Sequence, residues 1–501
     1  METSTLNVLQ LSFSFFLVFT AYSSAAFISE VLLDQYAEKG ELSKHAGYHS
    51  QAIIYVVFTF SNFFAAPILN KIGTKASLIV GASTYFMFYA GFLFMNEYLI
   101  YILSGVLGIG AAIIWTAQGK YLSLNSNEAN SSKHSGLSWA IFQMCLICGG
   151  IFLFILFEES DVDFKDVTKN VMFLLFAGIT FLGIVIMALL RKVEDVLHVT
   201  DTVPVPQGLT TNQSTMDIAS SDQVVADPDG HVEIVGTGVN EISDEVINDM
   251  ASNGSDVVEL GPGDESTLYE RFVQTIRLAK SSRIRFPIIL FMFSGITQSF
   301  YGGIYPSMIG YSGGFGPNPK RNLALNMICY GIGQTFGGLL FGICSDKTKK
   351  LGRDRIALIG TIVDFVAFSL IFVNFAEDSP YQKTHADGII TPSLPLALFC
   401  GFLLGCGDSF WNTQIYSLLI TSFSDCSAEA FSIFKFFQSL ICAIGFFIAK
   451  WFTVKVHLLI LVISAVISTA SFILIEAYIK QKSEIEAIET EEMNPNEGAV
   501  L

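Results

Sequence analysis

Gly401-Phe-Leu-Leu-Gly-Cys-Gly-Asp-Ser-Phe-Trp-Asn-Thr-Gln414 is an apolar run with one acid, Asp408, at its middle. An earlier copy reads Gly105-Val-Leu-Gly-Ile-Gly-Ala-Ala-Ile-Ile-Trp-Thr-Ala-Gln118. An offset of 296 residues places Gly105 on Gly401, Trp115 on Trp411 and Gln118 on Gln414, and sets Ala112 opposite the acid. A second offset, of 295, aligns Trp139-Ala-Ile-Phe-Gln143 with Phe434-Lys-Phe-Phe-Gln438, so that Ala140 stands opposite Lys435. The chain reads as two related halves, and in these copies only the second carries charge.

The composition places both halves in a membrane. Of 501 residues, 51% are hydrophobic and 15% charged, a balance that a soluble protein of this length would struggle to keep in solution. A hydrocarbon core about 30 Å thick takes about 20 apolar residues per helical span. That window predicts twelve spans: about Leu6–Ser29, Tyr48–Leu69, Ser77–Met95, Tyr98–Leu122, Ser135–Phe157 and Val171–Leu190, then Phe286–Ile309, Leu323–Ser345, Ile356–Phe375, Leu394–Thr421, Ala428–Lys450 and His457–Ile479. The fold class expected is an all-α polytopic membrane protein of two pseudo-symmetric six-helix halves. The first span has no basic leader and no clear cleavage site, which argues against a removed signal peptide.

With the amino terminus in the cytoplasm, the inner side carries eighteen Lys and Arg and the outer side nine, with Lys435 inside the membrane. The positive-inside rule then predicts both termini in the cytoplasm, at the plasma membrane or an endomembrane. The net charge of −17 is concentrated between the halves, where Arg191 to Ser282 holds 17 acids against five bases. The expected organisation is an amino-terminal half over 1–192, an acidic disordered cytoplasmic linker over 193–283, a carboxy-terminal half over 284–480 and an acidic tail over 481–501. The linker's basic end, Arg271 to Arg285, reads either as a site for anionic lipid or as an ordinary positive flank. Asn130, Asn212 and Asn253 begin sequons that this topology leaves in the cytoplasm. Tyr269-Glu-Arg-Phe272 has the form of a tyrosine sorting signal. Cys145 and Cys148 have C-x-x-C spacing, which inside an apolar helix reads as packing rather than metal or redox chemistry.

Two cytoplasmic turns carry related motifs. Ala66-Pro-Ile-Leu-Asn-Lys-Ile-Gly-Thr-Lys75 follows the second span, and Gly342-Ile-Cys-Ser-Asp-Lys-Thr-Lys-Lys-Leu-Gly-Arg-Asp-Arg355 follows the eighth. Both resemble the signature of the major facilitator superfamily, with Asn70 in place of the expected acid and three extra residues between Asp346 and Gly352. A conformational latch is expected from Asn70, Lys71 and Gly73 in one turn and Asp346, Lys347, Gly352 and Arg353 in the other. Within that superfamily, Gly47-Tyr-His-Ser-Gln-Ala-Ile-Ile-Tyr55, Ile114-Trp-Thr-Ala-Gln-Gly119, Gly405-Cys-Gly-Asp-Ser409 with Asn412-Thr-Gln414, and Phe434-Lys-Phe-Phe-Gln-Ser439 resemble the Unc-ninety-three-like branch. The resemblance covers all twelve spans. It implies a transporter-like fold that in some members serves as a potassium-channel regulatory subunit or as a chaperone of receptor trafficking.

Charges inside a span cost several kcal/mol unless paired or hydrated, so each is a candidate site. Asp408 leads, with Asn412 one turn on. It reads as an ion pair with Lys435 that stabilises packing, or as a proton- or substrate-coupled site; Lys435 alone reads as a snorkelling residue. Asp364 has no evident partner, and Glu476 reads as interfacial. Gln118, Gln143, Gln414 and Gln438 recur at matched positions, either as two walls of one polar cavity or as hydrogen bonds holding the halves together. His45 and His49, at the outer mouth of the second span, are pH-sensing candidates or ordinary loop residues. No nucleotide-binding loop, hydrolase triad, metal set or cofactor motif is visible, so neither an enzyme nor a nucleic-acid partner is expected. Besides the lipid bilayer, two functions remain: a regulatory or scaffold subunit for a channel or receptor, and a secondary transporter of a small organic solute.

Overall fold

The computed structural model describes residues 2–38, 42–43, 46–157, 166–193, 268–343 and 350–493. In lipid every backbone N–H and C=O must be satisfied within the protein, and long apolar runs meet that demand as helices. The described chain forms α1 (Thr3–Glu38), α2 (Ala46–Ile72), α3 (Thr74–Gly91), α4 (Glu97–Leu124), α5 (Ser131–Leu156) and α6 (Asp166–Ala188). Then come α7 (Leu268–Lys280), α8 (Ser282–Tyr311), α9 (Pro319–Ile343), α10 (Arg353–Asn374), α11 (Leu394–Ser422), α12 (Ser427–Ile448) and α13 (Val454–Met493). Eleven of the described helices are long and apolar enough to cross a membrane. The remaining expected span is α3, whose Lys75, Ser77, Ser83, Thr84 and two tyrosines reduce its apolarity although it packs against α4 and α6.

The two halves repeat one arrangement. In the first, α4 packs between α2 and α3; in the second, α11 packs between α9 and α10. Both turns that precede the third helix of a half end in a glycine with positive φ, Gly73 at 85° and Gly352 at 92°. That region admits glycine without the Cβ clash that other residues meet. The halves meet chiefly along α5 and α9, an antiparallel pair lined with small residues. A Cβ on Gly136 would lie 2.6 Å from the Gly342 nitrogen, and one on Gly331 would lie 2.9 Å from Leu146 Cβ. Such close backbone approach is how helices associate where lipid removes the hydrophobic drive. A second seam runs along α2 and α12.

Three expectations need correction. The reading of Val193 to Ser282 as one disordered linker does not hold at its end, because Leu268–Lys280 forms α7. Apolar Leu268, Phe272 and Ile276 recur every fourth residue there, and Phe272 stacks on Phe64 of α2 at 5.3 Å. Residues 194–267, with the Asn212 and Asn253 sequons, lie outside the described residues, as do His45, Asp346 and Lys347. The Tyr269–Phe272 motif is helical and its phenylalanine is engaged, which is not the form of an extended signal. The final span also continues past its expected end, since α13 is helical to Met493.

Candidate functional site

Asp408 lies on the face of α11 that meets α9. Gly401 and Gly405 allow that approach: a Cβ on Gly405 would stand 3.0 Å from the Gln334 nitrogen. The carboxylate is 8% exposed and is met by neutral donors. Tyr330 donates its hydroxyl to Oδ2 at 3.0 Å, Gln334 Nε2 reaches the same oxygen at 2.5 Å, and Asn412 Nδ2 reaches Oδ1 at 2.8 Å. Gln334 also donates to the Tyr330 hydroxyl at 2.8 Å and accepts from Trp139 Nε1 at 2.6 Å. Trp139 belongs to α5, so this network joins the acid of the second half to the first.

Lys435 makes no ion pair with Asp408, which corrects the expectation of one. No Asp408 oxygen lies within 4.0 Å of its ammonium, which donates to Gln438 Oε1 at 2.8 Å. It sits over three aromatic faces, Phe434 at 4.5 Å, Trp115 at 4.6 Å and Tyr416 at 5.5 Å. A ring face carries negative quadrupole density, so a desolvated ammonium gains about 2 kcal/mol from such a contact. Trp115 comes from α4, and the lysine therefore also ties the second half to the first. Phe142 packs edge-on to Trp115 at 5.5 Å and to Trp139 at 5.9 Å, which fills the middle of the seam with rings.

Asp364, on α10, is fully buried. Its Oδ1 accepts from the Tyr301 hydroxyl at 3.0 Å, while Oδ2 has no partner among the described residues. Its carboxyl rests against the bare Cα of Gly407, where any side chain would collide with it. Tyr301 belongs to a π turn, Phe300–Ile304, that interrupts α8; such turns often mark functional places in helices.

The four glutamines do not act as a set. Gln118 Oε1 accepts from Tyr416 across the halves at 3.1 Å, Gln438 serves Lys435, and Gln143 forms no side-chain hydrogen bond among the described residues. Gln414 is fully buried, its amide donating to Thr413 at 3.1 Å and its Oε1 without a described partner. Of the latch residues, Asn70 donates to Glu429 Oε1 of α12 at 2.9 Å, a contact between the halves. Lys71 is exposed. Arg353 binds Glu476 at 2.8 Å and Thr421 at 2.5 Å, which joins α10, α13 and α11 inside the second half. His49 approaches the Tyr101 hydroxyl at 3.3 Å in an exposed setting. Sequence reasoning missed Tyr301, Tyr330, Gln334 and Glu429. For Gln334 a signal existed, a lone amide in the glycine run from Gly331 to Gly338.

The same arrangement of helices occurs in solved transporters. FucP in its outward conformation superposes with a TM-score of 0.60 at 14% identity, covering 95% of this chain and 99% of that one. A single-substitution variant of the E. coli fucose:proton symporter FucP superposes at 0.58. This is a multi-pass membrane protein of the major facilitator fold.

The sequence comparisons go further. The pattern of the family described as "Ion channel regulatory protein UNC-93" matches residues 38–473. UNC93-like protein MFSD11 of Xenopus laevis is 30% identical over 482 residues, covering 95% of this chain and 97% of that protein. Protein unc-93 homolog A of Bos taurus is 25% identical over 481 residues, covering 93% and 92%. The chain belongs to the UNC-93 family of ion channel regulatory proteins.

Proposed function

We propose that the protein is a regulatory or scaffold subunit for a membrane channel or receptor, in which the two six-helix halves, 1–192 and 284–480, serve as a fixed frame. The observation that carries this reading is the packing around Lys435, where Trp115, Phe142 and Trp139 of the first half meet Tyr416 and Phe434 of the second ring against ring. Asn70 with Glu429, and Ser131 with Ser417 at 3.2 Å, fasten the halves at one end of their seam. A potassium channel or a trafficking receptor is the partner class, with both termini and the acidic linker in the cytoplasm. Gentle solubilisation of the native membrane followed by affinity purification should retain a channel or receptor in stable proportion. Recovery of a lone polypeptide under conditions that preserve other membrane complexes would sink the idea.

One observation favours a second reading, transport of a small solute. Gln143 forms no side-chain hydrogen bond among the described residues, and Trp139, one turn before it on α5, bonds Gln334, which in turn bonds Asp408. Purified protein in sealed vesicles should then accumulate a solute from a broad panel, and Asp408→Asn should abolish that uptake.

A further inference from the structure

Asp364 meets α11 at Gly407 and Asp408 faces α9 from the next residue of α11, and their surroundings differ in kind. An ionised carboxylate accepts through two oxygens and, taken out of water, needs donors on both. Asp408 has three, divided between Oδ1 and Oδ2. Asp364 has one, and its Oδ2 is enclosed without any among the described residues. One turn along the α10–α11 seam, the Trp411 indole N–H is also buried and without an acceptor among the described residues, and lies 3.5 Å from where a Gly360 Cβ would stand.

We infer that Asp364 is a proton-binding site: of the two buried carboxyls carried by α10 and α11, Asp364 is kept as the neutral acid and Asp408 as the anion. The Tyr301 hydroxyl marks Oδ1 as the carbonyl oxygen and leaves Oδ2 to carry the proton. Among the described residues no acceptor lies within hydrogen-bond distance of Oδ2 to take it directly. From α8 the titratable group facing Asp364 is Tyr301; from α11 they are Asp408 and Cys406; from α9, Tyr330. On α13, Glu476 is engaged by Arg353 about three turns away, and Thr469 bonds Thr361 at 2.7 Å. Lys435, on α12, is turned to Trp115. Tyr301 and Tyr330 stand edge to face with ring centroids 6.3 Å apart, so each acid has its own tyrosine and the two couples touch. Two carboxyls in surroundings this unequal divide the roles of acid and anion between them. The inference does not depend on the channel reading.

The test is infrared difference spectroscopy of the purified full-length protein at neutral pH, in water and in deuterium oxide. Wild type minus Asp364→Asn should show one protonated-carboxyl C=O band that shifts on deuteration, whereas Asp408→Asn should leave that band in place. Tyr301→Phe serves where Asp364→Asn fails to fold. It should keep the band and move it to higher frequency, because the carbonyl loses its donor. Absence of the band from wild type, its loss in Asp408→Asn, or an unchanged band in Tyr301→Phe would each overturn the assignment.

Discussion

The two halves share one plan and differ in what fills its centre. Around α4 the first half stacks rings: Phe19 lies 5.0 Å from Trp115 and 5.4 Å from Tyr85, and Phe15 lies 5.7 Å from Trp115. Around α11 the second half places Asp408, Asp364, Asn412, Tyr301, Tyr330 and Gln334. The substitutions fall at equivalent places. Ala112 stands where Asp408 does, Ala140 where Lys435 does, and Tyr85 lies twelve residues after Gly73 as Asp364 lies twelve after Gly352. The backbone frame is thus indifferent to its filling. What each half tolerates depends on the donors its neighbours supply.

That difference is open to direct attack. Ala112→Asp would put a carboxylate at a fully buried site. An uncompensated buried charge costs about 3–5 kcal/mol, so the variant should fail to give a monodisperse peak on detergent size exclusion. Asp408→Ala should cost less, because Gln334 keeps Trp139 and Tyr330 as partners. Stranding the Tyr330 hydroxyl removes about 1–3 kcal/mol, read as a lowered melting temperature, whereas Asn412 Nδ2 keeps the backbone carbonyl of residue 408 at 3.0 Å. Asp408→Asn should lie between that variant and wild type. A larger loss for Asp408→Ala than for Ala112→Asp would break the comparison.

The smallest effect belongs to the turn between α11 and α12. Burial raises the Asp425 carboxyl, but hydrogen bonds and charge from Arg283, at 2.7 Å to each oxygen, outweigh it and hold the group below its ordinary value. A lowered folded-state value means that the contribution is fully present above the ordinary carboxylate pKa of about 3.9 and fades as pH falls through the folded-state value. The melting temperature of wild type should therefore fall slightly more than that of Asp425→Asn as the buffer is taken from mildly to strongly acid. Because Arg283 is partly exposed, the slope should be shallow and sensitive to salt.

Much of the frame was legible in the chain because lipid imposes a blunt rule, an apolar run of fixed length, and a repeat shows itself by alignment. The tenth expected span, Leu394–Thr421, matches α11 at Leu394–Ser422 almost to the residue. Asp408 and Lys435 were legible as buried charges for the same reason. Their partners were not, since those depend on how neighbouring helices are rotated about their axes. Tyr330 and Gln334 meet Asp408 only because Gly405 and Gly333 let α9 and α11 come close, and Lys435 turns to Trp115 across the seam. Helix α7 was obscured by averaging it with the acidic stretch before it, although its apolar residues carry their own period.

The π turn in α8 has a consequence for how this span can vary. Each residue of an α-helix turns the chain by about 100°. A π turn absorbs a surplus residue, so its loss acts on register rather than on any one contact. Gly302 lies inside the turn with open space around it, and Tyr305, just beyond, donates to the Ala397 carbonyl at 2.5 Å. A single-codon deletion at Gly302 would let the segment relax to α-helix and swing Tyr305 to Tyr311 round the axis, while Tyr301 stays at Asp364. This span is constrained in its length as strictly as in its letters, and an in-frame deletion there is a heavier lesion than many substitutions.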